Sequence, residues 1–189
     1  MTTEVTRCAW ARAEPNATYH DEEWGVPQHD DRALFELLVL EGAQAGLSWT
    51  TVLAKRAGYR AAFAEFDPAA VAAFDERRLA ELATDARIVR HRGKIASAVK
   101  NAAAFLAVQR EFGSFDAYLW GFVGGTPVVT RRKPGEGPPA RTALSDTISA
   151  DLRARGFSFV GSTIVYAFLQ AAGVVDDHDA ACFRAKPQP

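Results

Sequence analysis

The chain has 189 residues, 48% hydrophobic and 24% charged, the balance of a globular protein with a sizeable core. A net charge of -1 excludes a nucleic-acid binder that works by bulk positive charge, so any such contact needs a local basic patch. No apolar run reaches the length of a membrane span, and Met1–Arg12 lacks the apolar stretch of a secretory signal, which predicts a cytoplasmic protein.

Abundant alanine and short β-branched runs predict an all-α fold. Asp30 can cap a helix carrying Leu34, Phe35, Leu37, Leu38 and Val39, ending near Gly42 or Gly46. Ser48 caps the next, with Trp49, Val52 and Leu53. Asp67-Pro68 is a start signal, a cap followed by proline at the first helical position, and Val71 and Phe74 form the face behind it. Leu79 and Leu82 mark another helix. Residues 88–93 form a basic turn, and a long helix begins at about Lys94. Ser114 can cap the segment of Phe115, Leu119 and Phe122. Gly124–Pro139 reads as an exposed Gly/Pro loop, but not as a domain break. Helices then fit Thr147–Arg155 and Ser162–Ala172, stopped by Gly156 and Gly173, and a last turn begins near Asp176 or Asp177. Without repeats or a low-complexity tail, residues 1–189 are expected to form one domain.

Three groups of residues carry chemistry. Cys8 and His20 lie near the start, and His178 and Cys182 near the end. The i, i+4 spacing of the second pair puts both side chains on one face if that segment is helical. One thiolate and one imidazole from each end would make a closed Cys₂His₂ tetrahedron, joining the termini without an open position for water. The same residues read singly as buried Cys and His, and a Cys8–Cys182 disulfide is a competing use. Trp10, Tyr19, Trp24 and Trp49 gather within the first 49 residues, with Glu41 set in an apolar stretch. Aromatic walls beside one acid suit a flat, electron-poor or cationic ligand; core packing and a solvated helix position explain the same residue types. Finally, Arg87, Arg90, Arg92 and Lys94 surround His91 and Gly93 with no acid before Glu111. Backbone N–H groups at a helix start beside such cations bind phosphate, although a basic run is also an ordinary solvated face. Arg131, Arg132, Lys133 and Arg141 form a second basic group.

Several blocks together resemble the DNA-3-methyladenine glycosylase I family of the helix-hairpin-helix superfamily. They are Arg7-Cys8-Ala9-Trp10, the run from Tyr19 to Pro27, the run from Leu40 to Trp49, the run from Ile88 to Ile95 and the run from Arg155 to Thr163. They keep order and spacing over nearly the whole chain. The resemblance implies a helix-hairpin-helix DNA glycosylase fold with zinc-clasped termini. It implies structural zinc on Cys8, His20, His178 and Cys182, and a base pocket of Glu41, Tyr19 and Trp49 with Trp10 and Trp24 nearby. It implies double-stranded DNA containing alkylated bases, gripped through Arg90, His91, Arg92, Gly93 and Lys94 by a monomer. The implied reaction is hydrolysis of the N-glycosidic bond of a flipped 3-methyladenine, releasing the base without a lyase step. Asp116 is expected to be a cap or surface residue. Two positions depart from the pattern: Arg87 stands where glycine is frequent, and Asn16 near a second aromatic of some relatives. A catalytically silent damage-binding module and a purine-binding protein without DNA affinity are the alternative readings.

Overall fold

The computed structural model describes residues 5–130 and 136–185. The order is α1 (Asn16–Glu22), α2 (Asp31–Gln44), α3 (Trp49–Leu53), α4 (Arg56–Ala62), a 3-10 turn at Ala64–Phe66, α5 (Pro68–Ala72) and α6 (Glu76–Leu82). Then come α7 (Arg92–Phe112), α8 (Phe115–Gly121), α9 (Ala143–Ala154) and α10 (Ser162–Ala171). The regular structure of the described part is helical apart from one parallel pair, β1 (Val128–Val129) beside β2 (Val175–Asp176).

Most starts follow from side-chain caps that satisfy the orphan N–H groups of a first turn. Asp30, Ser48, Asp67 and Ser114 accept from the backbone of α2, α3, α5 and α8 as their sequence positions predict. Other boundaries differ. α7 begins at Arg92 because His91 is its cap, Nδ1 accepting from the Lys94 N–H at 3.1 Å. α9 begins at Ala143, four residues before the expected Thr147, because Thr142 and Ser145 form a reciprocal capping box. The expected Gly124–Pro139 loop contains β1, and Arg131, Arg132 and Lys133 lie outside the described residues. The segment holding His178 and Cys182 is a series of turns, so the helical face expected for that pair is corrected.

α2 is the central element. Its residues from Leu34 to Ala43 are all buried, as befits a helix packed on every side. α10 and α7 lie against it, and α9 and α8 pack on those in turn. Phe105 and Phe115 stack at 4.2 Å between ring centroids, with Phe35 5.2 Å from Phe105, so α2, α7 and α8 share one aromatic core. α6 and α7 pack together as one unit with the basic turn between them. At its apex Arg90, His91, Arg92 and Gly93 are exposed.

Candidate active site and terminal metal cluster

Two carboxylates are buried on α2, and their surroundings differ. Glu36 accepts from Arg56 Nε at 2.5 Å and Arg60 Nε at 3.0 Å, and is a compensated buried charge. Glu41 is 4% exposed, and among the described residues no donor meets it. Burial alone pushes its carboxyl up to about 8. An uncompensated acid costs stability wherever it serves only the fold, and in a cleft it marks a site for a ligand.

Glu41 opens on a cavity of about 760 Å³. Tyr19 from α1 and Trp49 from α3 form part of its wall, their rings 5.2 Å apart and tilted by 51°. The Tyr19 hydroxyl and the Trp49 Nε1–H are buried, and neither finds a partner among the described residues. Burial, followed by the charge of Glu41, raises the Tyr19 phenol well above its ordinary value. Trp10 meets Trp24 edge-on at 5.1 Å, and both line the cavity. The structure therefore brings Glu41, Tyr19, Trp49, Trp10 and Trp24 to one place.

It also adds Gln44, Thr50 and Gln170, which the sequence reading did not single out, and the helix cap Ser48. Asn16 is there too, its amide donating to Thr50 Oγ1 at 3.0 Å, so this wall is a polar pair. These polar types carry no periodic signal and become neighbours only through tertiary packing. Asp116 lies elsewhere: His29 Nδ1 sits 2.7 Å from its Oδ1.

Behind Trp24 lies the terminal cluster. The Cys8 sulfur, a His20 ring nitrogen and the Cys182 sulfur all lie within 4.8 Å of one another, and all three residues are buried. Both cysteines are free, so the disulfide alternative is not formed. The sulfurs accept from backbone N–H groups, Cys8 from Asp179 at 3.2 Å and Cys182 from Arg184 at 3.4 Å. His178 packs edge-on against His20 at 5.2 Å between centroids. Its Nδ1 is 2.9 Å from Asp176 Oδ1, while Nε2 is buried with no partner among the described residues. His20 Nδ1 is likewise 2.8 Å from Asp21 Oδ1. Gly25 makes room for this packing: at φ +75° a Cβ there would lie 2.5 Å from His178 Cε1.

At the hairpin, Arg87 turns back onto Asp85 at 2.8 Å. Arg90 and Arg92 have no acidic partner among the described residues. His91 spends Nδ1 as the helix cap, and Lys94 points inward to backbone carbonyls.

Residues 10–185 match the family model described as methyladenine glycosylase. DNA-3-methyladenine glycosylase 1 of Escherichia coli K12 is 48% identical over 179 residues, 94% of this chain and 96% of the relative. A crystal structure of 3-methyladenine DNA glycosylase I superposes with a TM-score of 0.92 at 47% identity, covering 96% of this chain and 100% of the other. A structure of the Staphylococcus aureus 3-methyladenine DNA glycosylase I, solved for its 3-methyladenine recognition, gives 0.92 at 36% identity, over 97% of this chain and 98% of that one.

Proposed function

The chain belongs to the methyladenine glycosylase family, and from that membership we propose that it hydrolyses the N-glycosidic bond of 3-methyladenine in alkylated DNA. The observation that carries this reading is the trio of Glu41, the Tyr19 hydroxyl and the Trp49 Nε1–H, polar groups that share one aromatic cavity and have no described partner. A flipped base supplies what they lack: a planar face for the rings and polar edges for the orphaned groups.

The proposed sequence is short. The damaged nucleotide leaves the stack of double-stranded DNA and enters the cavity. Methylation at N3 makes the nucleoside base cationic, and that charge in a dry site favours loss of the Glu41 proton, so that the carboxylate answers it far better than water does. Glu41 meets the N–H donors of the base and offsets its charge, Tyr19 and Trp49 hold its edge and face, and Trp10 and Trp24 close the wall. The N9–C1′ bond breaks with its electrons going to the base, which leaves neutral. Water adds to C1′ and gives up a proton, leaving an abasic site. Among the described residues no lysine lines the cavity, which supports base release without a Schiff-base step. The exposed Arg90, His91, Arg92 and Gly93 grip phosphate, and residues 1–189 act as one monomeric glycosylase domain in the cytoplasm. Among the described residues no helix is long and apolar enough to cross a membrane.

Structural zinc fits the terminal cluster, held by Cys8, His20, His178 and Cys182. The orphaned His178 Nε2 calls for a partner, N–H donors on both sulfurs suit thiolates, and a carboxylate beside each histidine Nδ1 leaves Nε2 as the ligand atom. The ion would join the termini and take no part in bond cleavage.

The test is chromatography of bases released from methylated DNA. Wild type is expected to release free 3-methyladenine, with Glu41→Gln at least about tenfold slower. Equal rates for the two would remove Glu41 from the site, and binding without release by wild type would favour a silent damage-binding module.

A further inference from the structure

Lys94 stands in the basic hairpin, but its ammonium faces the protein. Nζ donates to the carbonyl of Ala43 at 2.8 Å and to that of Ala45 at 2.6 Å. These carbonyls lie at the C-terminal end of α2, where unpaired oxygens and the helix dipole favour a cation. The link they belong to is short. Glu41 sits two residues before Ala43, Gly46 turns the chain at φ +76°, Ser48 caps α3, and Trp49 follows. Lys94 therefore holds the segment that joins the acid of the pocket to its ring, and does so from the first turn of the DNA-facing helix.

The contact has support on its other side. Positions Gly42 and Gly93 both face Phe159: a Cβ on Gly42 would lie 3.5 Å from Phe159 Cβ, and one on Gly93 3.8 Å from its Cζ. Phe159 is held at φ +53°, a strained value for an aromatic residue. Asn101 of α7 secures the preceding residue, donating to the Ser158 carbonyl at 2.9 Å and accepting from its N–H at 2.8 Å. Helices α2 and α7 are thus registered by a wedge and by a cation. Burial lowers the Lys94 ammonium, in keeping with a group withdrawn from solvent.

We propose that Lys94 is a positioning residue and no phosphate ligand: it ties the DNA-facing turn to the link between Glu41 and Trp49, fixing acid and ring relative to each other and to the duplex. The inference rests on the glycosylase reading for its kinetic consequence, while the tether itself can be measured without it.

The experiment compares wild type, Lys94→Met and Lys94→Arg in three measurements. Binding of free 3-methyladenine, followed by tryptophan fluorescence, is expected to weaken about tenfold in Lys94→Met although no phosphate is present. The slope of log affinity for DNA against log salt is expected to stay unchanged. Lys94→Arg keeps the charge and is expected not to restore base binding, because a planar guanidinium does not replace a compact ammonium between two carbonyls. Unchanged base binding with a slope reduced by about one would make Lys94 a phosphate ligand and overturn the proposal. Amide exchange across residues 43–49 is the third measurement. Faster exchange in either variant supports the tether, and exchange equal to wild type refutes it, even if wild type releases no base. Should Lys94→Met fail to fold, Lys94→Arg carries the same comparison. Wild type that neither binds nor releases 3-methyladenine would sink the functional reading alone.

Discussion

Glu36 and Glu41 stand five residues apart on one buried helix, and only Glu36 is met by arginine. The difference makes Glu41 a pH-dependent liability of the fold. Its carboxyl lies at about 8 in the folded chain, above the ordinary 4.5, because burial disfavours the charged form. Folding therefore binds the proton more tightly. The stability associated with the neutral acid is fully present below about 4.5 and is lost as pH rises through about 8. Glu41→Gln keeps the shape and removes the charge. Its melting temperature is expected to exceed that of wild type by several degrees at pH 9 and to match it near pH 4, at roughly 3 °C per kcal/mol for a chain of this size. Melts across that range check it, and a gap independent of pH would mean that the carboxyl is not desolvated. The same substitution is expected to weaken base recognition, so on the proposed reading this position trades stability for function.

At the scale of elements, the terminal cluster sets a second expectation. Cys8 precedes α1 and Cys182 follows β2, so an ion on this set closes the chain end to end. Metal analysis is expected to find one zinc per chain. Cys182→Ala is expected to lose the ion and to lower the melting temperature by 10 °C or more, since structural zinc contributes several kcal/mol to folding. Full stability in a metal-free sample would leave only a buried Cys/His packing cluster. The sequence showed which residue types gather here, but it misplaced their backbone. A spacing of four suits a helical face, but this segment is not helical: Cys182 joins Cys8 and His20, while His178 packs against the His20 ring. Elsewhere caps made several helices legible, while α10 was legible without a side-chain cap, from its fit as a helix closed by the Gly173 stop. Asp30, Ser48, Asp67 and Ser114 announce their helices because capping is chemistry within three residues. α1 and α4 went unread, and both start without a side-chain cap. α4 is held instead by distant partners, with Arg56 on Glu23 and Glu36. The pocket was legible in its aromatics and Glu41, which stand out against an apolar run. Gln44, Gln170 and Thr50 were not, because no local rule distinguishes a polar residue facing a cavity from one facing solvent.

For the whole molecule, a net charge of -1 must be reconciled with a polyanionic substrate. The described charges largely cancel in place: Arg7 on Asp21, Arg56 on Glu23 and Glu36, Arg87 on Asp85, and Arg155 on Glu111 and Asp151. Each pair consumes an arginine that a count of basic residues would credit to DNA. The hairpin is left with Arg90 and Arg92 exposed beside the N-terminal N–H groups of the longest helix. Attraction to phosphate should therefore be concentrated there and should be small in number of contacts. Each neutralised phosphate contributes about 0.9 to the salt slope of duplex affinity, so Arg90→Ala with Arg92→Ala is expected to lower that slope by about two. The loss should be the same on damaged and undamaged duplexes, because phosphate contacts position the protein without reading the base. Binding of free 3-methyladenine should not change, since neither arginine lines the cavity. Fluorescence anisotropy between about 50 and 200 mM salt measures the slope on both duplexes. An unchanged slope would move the DNA interface away from the hairpin, and a loss confined to damaged duplexes would assign the arginines to the extruded nucleotide rather than to the backbone.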